Sequence, residues 1–256
     1  YEKDKDNLKA YSGIVLLKKE KLNIKFNFIE IRDKNILTAS DGIKINDLEN
    51  SLDIESQKIV LDRSNKILNS PTNSILTDKN KNQFKVKKFD YNYDLKSIKI
   101  YNSYIKDSEE NIYEVENAFV DLKVGKLSGK NIIINLNNKS FNPENEPKLK
   151  GEKIFFKDNI TSISNGLFTT CKQRDGCPPW ELSASEITHD RNKKTINYKN
   201  AWLKVYDKPI LYFPYFFHPD PTVNRQSGFL IPSFQNSNTS GASMQIPFYK
   251  VISERK

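Results

Sequence analysis

Apolar residues along the chain mostly alternate with polar ones, and this period of two predicts β-strands. A short motif recurs within the alternation, in which one apolar or small residue is followed by the next after three positions instead of two. Six segments carry it, and the pairs that flank the three-residue step are Ser56 and Ile59, Val86 and Phe89, Val115 and Ala118, Gly129 and Ile132, Gly151 and Ile154, and Ala184 and Ile187. The step shifts the side chains to the other face of a strand, so it predicts a bulge or corner in each segment.

Polar residues that favour turns follow most of these segments. In five of the six, an Asp or Asn comes directly after the last residue of the motif, namely Asp62, Asn92, Asp121, Asn135 and Asp190. We expect these residues to turn the chain. Bent strands joined by turns predict a solenoid or a folded-over double sheet. A β-sandwich whose strands simply alternate is the alternative interpretation.

The sequence changes character near residue 205, where prolines become frequent. Residues 208 to 232 combine aromatic side chains with five prolines. Proline cannot donate a ladder hydrogen bond, so Pro214 predicts an edge or irregular strand, and the five prolines together predict a stiffened connector. Further on, Ala242, Met244, Ile246 and Phe248 alternate with mostly polar residues over a length suited to an outer-membrane barrel strand.

Composition narrows the class of protein. With 37% hydrophobic and 29% charged residues the chain is expected to fold, and 15 Phe and 12 Tyr favour strands. The net charge of +9 comes mostly from scattered Lys, so nucleic-acid binding is disfavoured and contact with anionic lipid is the better interpretation. No apolar run is long enough for a membrane-spanning helix. Because the chain opens at Tyr1, we expect either a removed leader or a fragment.

Candidate chemistry is sparse. His189 and His218 have no recognisable nucleophile partner, so we expect no catalytic residue and no cofactor, with His189 a structural histidine and His218 a loop residue. Cys171 and Cys177 flank an Asp-Gly turn that could bring them together, whereas a zinc site would lack ligands. A polysaccharide lyase or hydrolase with two carboxylates in a groove stays a further alternative, although no carboxylate pair stands out.

The sequence KPILYFPYFFHPDPTVNRQSGFLIPSF, with the preceding SASEITHDRNKKTINYKNAWLKV, resembles the domain junction of the LPS-assembly protein LptD family, also called the organic solvent tolerance or OstA family. The resemblance implies an all-β fold. Residues 1–205 would form a periplasmic β-jelly roll, or β-taco, of stacked bent strands. Residues 206–256 would form a connector and the first two strands of an outer-membrane β-barrel, which the chain contains only in part.

For function, the resemblance implies transport of lipopolysaccharide and its insertion into the outer membrane. Acyl chains would enter an apolar groove and pass to a lateral gate in the barrel. Candidate groove residues are Phe84, Val86, Phe89, Tyr91, Val115, Ile132, Ile134, Ile154, Phe156, Leu182 and Ile187. Gate candidates are Pro232 and Pro247, which alternatively just end short strands, and hinge candidates are Pro209, Pro214, Pro219 and Pro221.

The resemblance also implies partners and a location. The partners would be lipopolysaccharide, an OstA-like bridge protein paired edge to edge, and a lipoprotein that plugs the barrel. The location would be the outer membrane, mainly on its periplasmic side. Family members link periplasmic to barrel cysteines, so Cys171 and Cys177 would each pair with a barrel cysteine, with a mutual disulfide as the alternative. The competing class is a non-catalytic β-solenoid scaffold that binds polysaccharide or protein at the cell surface.

Overall fold

The computed structural model of the protein describes residues 2–3, 7–32, 34–79, 81–106, 110–136, 146–171, 180–220, 227–230, 233–237 and 241–252. The regular elements in these residues are all β-strands, which confirms the predicted all-β class. Among the described residues there is no helix that could cross a membrane. Two compact units make up the chain, one of residues 1–137 with 153–155 and one of residues 138–152 with 156–256.

The first unit is an antiparallel sheet whose strands lie side by side in chain order. The strands are β1 (Glu2–Lys3), β2 (Asn7–Leu17), β3 (Leu22–Arg32), β4 (Ile36–Asp47), β5 (Leu52–Asp62), β6 (Ile67–Ser70), β7 (Ser74–Thr77), β8 (Gln83–Asn92), β9 (Ser97–Lys106), β10 (Ile112–Asp121) and β11 (Lys126–Asn135). The short strands β6 and β7 together take the place of one strand, because each pairs with β5 on one side and β8 on the other.

The second unit repeats this arrangement with strands of similar length. Its sheet contains β13 (Ile160–Thr169), β14 (Trp180–Asp190), β15 (Thr195–Val205) and β16 (Lys208–Pro219) in chain order, and β12 (Lys148–Lys157) contributes residues to both units. Two further antiparallel pairs follow, β17 (Gly228–Phe229) with β20 (Phe248–Tyr249) and β18 (Ser233–Ser237) with β19 (Gly241–Gln245). A pair of strands is not a barrel, so the barrel portion stays a prediction.

The strands bend near their middles, and we call the row of bent positions the bend line. In β8, Val86 and Phe89 are buried while the two residues between them are exposed, and Val115 and Ala118 of β10 repeat the pattern. The pairing of β8, β9 and β10 is interrupted at the level of the bend. One face of each strand is therefore buried along both of its arms. The predicted bent strands are confirmed, and they are consistent with a β-jelly roll.

A left-handed backbone conformation produces the bend in alternate strands. Residues with a φ of 48° to 51° lie at the bend line of β2, β9, β11, β13 and β15, and they are Ser12, Asn102, Asn131, Asn165 and Asn200. Asparagine tolerates this region better than most residues because its short polar side chain can form local hydrogen bonds. The apolar motif does not reveal these residues, since an asparagine between two strand arms looks like any surface residue.

Glycines beside the bend line allow close packing on the buried face. A Cβ added at Gly166 would lie 2.6 Å from Ile187 Cδ1, and one at Gly151 would lie 2.0 Å from Ile163 Cγ2. Distances this short are not compatible with an unshifted neighbour, so larger residues there would push the adjacent strand away. These two glycines therefore let neighbouring strands fill the interior of the second unit.

Within the described residues, the bend breaks a strand in two at one place, between β6 and β7. A cluster of hydroxyl groups lies there. Ser74 Oγ lies 3.0 Å from Ser56 Oγ and 3.0 Å from Ser70 Oγ, and Ser56 Oγ lies 2.9 Å from Ser70 Oγ. All three serines are buried. Their hydrogen bonds satisfy polar atoms that would otherwise be costly to bury, and they join β5 to the gap between β6 and β7.

The predicted turn residues act as caps. Each of four accepts a hydrogen bond from a backbone N–H two or three residues later, and they are Asp62, Asn92, Asp121 and Asp190, with N···O distances of 3.0, 2.8, 2.9 and 3.0 Å. The turns they begin end on left-handed residues, namely Lys66, Lys96, Gly125 and Lys194. Asn135 instead donates to Glu114 on the neighbouring strand. The turn prediction is thus confirmed for four of the five residues.

The proline-rich segment starts as a strand. β16 is twelve residues long and pairs with β15, and among the described residues it lies at the end of its sheet. Pro209, Pro214 and Pro219 all lie in this strand, whereas Pro221 lies outside the described residues. The expectation of an edge strand is confirmed. The predicted domain boundary between residues 205 and 206 lies next to the turn that joins two paired strands, and a hinge role for the prolines stays a prediction.

Candidate functional site

The candidate groove residues lie on the buried faces of their strands. Nine are at most 5% exposed and two, Phe84 and Phe156, are half-buried. Eight belong to the first unit and three, Phe156, Leu182 and Ile187, to the second. The apolar periodicity therefore predicted the interior side chains. Within each unit they belong to the buried core, so a lipid that enters must separate strands or displace side chains.

Tyr91, one of the candidates, is held by a polar network. Its hydroxyl donates to the buried carboxylate of Asp47 and accepts from Asn50 Nδ2 at 2.7 Å. Burial and the adjacent carboxylate raise the pKa of Tyr91, so the phenol stays protonated. Asp47 also caps its turn by accepting from the backbone N–H of Glu49 and Asn50. Tyr91 thus joins two parts of the first unit that are far apart in sequence.

The second unit contains a small apolar cavity of about 20 Å³, room for about one water molecule, that the sequence did not single out. It is lined by Phe168, Trp180, Leu182, Leu203, Phe213, Phe216, His218, Leu230 and Ile246. Only Leu182 is among the predicted groove residues. The lining comes from β13 to β16 and, through Leu230 and Ile246, from the segments beside β17 and β20. This cavity lies where the interior of the sheet meets the segment that follows β16.

Aromatic rings pack closely around the cavity. Phe168 lies 6.2 Å from Trp180 and 5.5 Å from His218, measured between ring centroids, and Phe216 lies 5.2 Å from Phe213. Such tilted and edge-on contacts add to the stabilisation that apolar burial gives. The sequence signal was available in the spacing of Phe213, Phe216 and His218. The prolines between and around these residues favour a connector when the sequence alone is considered.

Two histidines form the polar side of this cluster. His218 Nδ1 donates to the Pro219 carbonyl at 2.7 Å, so its Nε2 accepts from the Tyr198 hydroxyl at 2.8 Å. Burial lowers the pKa of His218 to about 4, which keeps the ring neutral. The expectation that His218 is a loop residue is wrong, because it is a buried residue of β16. Inside the sheet the ring fills space and accepts the hydrogen bond of the Tyr198 hydroxyl.

His189 and Asp220 fix the end of β16. The His189 ring contacts the Asp220 carboxylate, and the Asp220 backbone N–H donates to the Lys194 carbonyl at 2.9 Å. Asp220 thus ties β16 to β14 and to the turn before β15. The interpretation of His189 as a structural histidine agrees with this geometry. In the part of the chain that the structure describes, no group of three or more His, Cys, Asp or Glu is arranged to hold a metal ion.

The cysteines are only partly described. Cys171 is half-buried just after β13, and its backbone N–H donates to Thr169 Oγ1 at 3.2 Å. Burial raises the pKa of its thiol. Cys177 lies outside the described residues, so both predicted pairings stay predictions.

One of the two gate candidates, Pro247, lies at a break between two ladders. The pair β17 and β20 and the pair β18 and β19 are separated on one side by residues 230–232 and on the other by residues 246–247. Pro247 lies in this gap, and its carbonyl accepts from the Leu230 N–H at 2.8 Å. Pro232 lies outside the described residues. Proline has no N–H to donate, so a ladder is weaker where Pro247 lies.

The fold and the cavity define a class of protein: all-β, built of bent antiparallel strands, with an apolar interior. Comparison with known proteins narrows the class. The chain is 33% identical over 102 residues to the LPS-assembly protein LptD of Yersinia enterocolitica serotype O:8 / biotype 1B. The aligned residues cover 40% of this chain and 12% of the relative. It is 38% identical over 100 residues to LptD of Hahella chejuensis, covering 38% and 12% of the two chains.

A third relative agrees. LptD of Francisella tularensis subsp. novicida is 33% identical over 99 residues, which are 38% of this chain and 11% of the relative. No family model matches the chain. These similarities show that about two fifths of the chain is similar to LptD, also called OstA, which is the resemblance predicted from the sequence. The matched part spans only about an eighth of the length of those relatives.

Proposed function

We propose that this chain takes part in assembling lipopolysaccharide in the outer membrane, on the periplasmic side. Its bent strands would shield the acyl chains, and the segment after β16 would lead them to a lateral gate. The names of the relatives support the substrate. The apolar interior supports the role, because exposing acyl chains to water costs about 0.8 kcal/mol for each CH₂ group.

The cavity of the second unit carries the proposal. It is lined almost entirely by apolar and aromatic side chains, and two of them, Leu230 and Ile246, come from the segments around the hairpin strands. An acyl chain in this cavity would contact both the sheet interior and the proposed barrel segment. The packed interior requires that lipid entry be coupled to side-chain displacement, so acyl chains would occupy the site only transiently.

The proposed gate rests on the break between the ladder of β17 with β20 and the ladder of β18 with β19. A backbone hydrogen bond contributes about 0.5–1.5 kcal/mol net, and Pro247 removes one donor from this region. If Pro232 acts in the same way, the seam would open more easily at this level. A bridge protein would dock on the outer edge of β2, which pairs with β1 at Leu8 and Lys9 alone among the described residues. A lipoprotein in the barrel completes the proposed set of partners.

Filling the cavity tests the proposal. In the full-length protein, Leu203→Trp should lower lipopolysaccharide export several-fold, because the added ring occupies the space that acyl chains need. Leu203→Ala, which enlarges the cavity, should leave export near normal. Ser164→Trp on the exposed face of β13 is the matched control. Normal export by a stably folded Leu203→Trp protein would contradict the proposed path.

A further inference from the structure

An aromatic patch covers the outer face of β15 and β16, the last two strands of the larger sheet in the second unit. It consists of Trp202 on β15 and Ile210, Tyr212 and Tyr215 on β16, which are 43%, 54%, 43% and 59% exposed. Trp202 and Tyr212 are register partners whose ring centroids lie 5.0 Å apart. Trp202 lies between the buried Ala201 and Leu203, and Leu203 lines the apolar cavity, so Trp202 and its partner Tyr212 are on the other side of the sheet from the cavity.

The patch differs from the rest of this face. The outward positions of the preceding strands are mixed but carry no aromatic ring, with Ser162, Ser164, Leu167 and the 36% exposed Ile160 on β13 and Ser183 and Ser185 on β14. Small polar residues there are what a solvated sheet face requires. A concentration of large exposed apolar side chains marks a contact surface, because leaving it in water is unfavourable.

The tyrosine rings of the patch are held in place. The Tyr212 hydroxyl donates to Asn200 Oδ1 at 2.9 Å, and the Tyr215 hydroxyl donates to Asn197 Oδ1 at 2.8 Å. Each ring therefore lies along the sheet with an apolar face outward and its polar tip bonded. Rings fixed in this way lose little conformational entropy when they bind another surface.

We propose that the aromatic patch lies against the headgroup and upper acyl region of a phospholipid bilayer. The choice of a membrane rests on the proposed function, in which the residues after β16 enter the outer membrane. Exposed apolar side chains continue in that segment, with Leu230, Phe248, Tyr249 and Ile252 at 45%, 53%, 40% and 91% exposure. A docking site for a soluble protein on β16 would not account for this continuation.

The chemistry of the patch fits this partner. Trp and Tyr are enriched at membrane interfaces, where a ring can be apolar on one side and polar at its tip. The exposed Lys208 lies at the start of β16, and the chain has a net charge of +9. Anionic phospholipid attracts such a surface. The patch would hold the second unit at a fixed orientation to the membrane surface.

The two tryptophans of the chain make the test direct. Trp180 is 5% exposed, and Trp180→Phe leaves Trp202 as the single reporter. The 256-residue chain is mixed with vesicles of phosphatidylethanolamine and phosphatidylglycerol. Trp202 emission should shift to shorter wavelength, and lipids brominated near the headgroup should quench it. The unsubstituted chain should sediment with the same vesicles, which guards against an effect of Trp180→Phe on folding.

Matched variants locate the contact. Ile210→Ser with Tyr215→Ser should weaken vesicle binding by about tenfold or more. Leu48→Ser, at a 64% exposed turn residue of the first unit, should leave it unchanged. An unshifted Trp202 spectrum, or equal binding by the patch variant, would overturn the proposal. A patch variant that still binds vesicles but loses self-association or protein binding would also overturn the proposal. The lipopolysaccharide path through the cavity is measured separately, so either idea can fail alone.

Discussion

At the scale of single residues, His218 shows how burial sets the protonation state of a side chain. The ring is enclosed by Phe168, Tyr198 and Phe216, and desolvation lowers its pKa to about 4 from the ordinary 6.5. The unfolded chain therefore binds a proton between these two values that the folded chain does not. Stability contributed by the neutral ring is complete above about pH 6.5 and is lost as the pH falls towards 4.

His218 should make the second unit acid-sensitive. Between pH 7 and pH 4 the free energy of unfolding should fall by about 3 kcal/mol from this group alone. His218→Phe should be less stable at pH 7, because Tyr198 loses its partner, but should show a shallower dependence on pH. Urea titrations followed by Trp180 emission, in a Trp202→Tyr background, measure both. Identical pH slopes for the two proteins would show that His218 is not responsible, since His189 and Asp220 are common to both.

Residue roles were the least predictable part of the sequence. Tyr91 and Asp47 are 44 positions apart, and no local pattern links them. His218 lies between an aromatic residue and a proline, which locally favours a loop, and only its packing against β13 and β15 reveals that it is buried. The candidate groove residues were predicted to face inward, and they do. Whether side chains on such a face leave a trough or close into a core depends on tertiary packing.

At the scale of elements, the bend line is the device that shapes each unit. The three-residue apolar step predicted it, because a buried face can continue past a corner only if the period changes there. The sequence did not indicate how alternate strands turn that corner. Left-handed asparagines and serine do so in five strands, and these residues carry no apolar signal. The prolines of β16 predicted an edge or irregular strand, which is what the structure has, but the sequence did not indicate which side chains of that strand are buried.

Substitutions at Asn165 test the bend. Its φ is 48°, so a β-branched side chain there would be strained, whereas glycine adopts this conformation freely. Asn165→Val should lower the free energy of unfolding by about 1–2 kcal/mol, and Asn165→Gly should change it little. Ser164→Val, at the exposed neighbouring residue with an ordinary strand backbone, is the control and should be nearly neutral. Equal losses for both valine variants would show that the left-handed residue does not define the bend.

At the scale of the whole molecule, the proposed path runs from an apolar interior to a weak seam. The seam is tested by Pro232→Ala with Pro247→Ala in the full-length protein. Restoring two N–H donors should strengthen the ladder and reduce lipopolysaccharide export, and Pro71→Ala, at an exposed proline of the first unit, is the control. The measurement is the rate at which lipopolysaccharide appears at the surface of cells that carry each variant. Undiminished export by the double variant would mean that the prolines merely end short strands.

The central claim, that acyl chains pass through the interior of the second unit, is tested most directly by a pair of adjacent crosslinkers. Leu182 faces the apolar cavity at 5% exposure, and Ser183 is on the opposite face of the same strand. A photoreactive residue is placed at each position in the full-length protein in living cells. Lipopolysaccharide should be captured at position 182 and not at 183. Capture at 183 alone, or at neither position while export continues, would contradict an interior path.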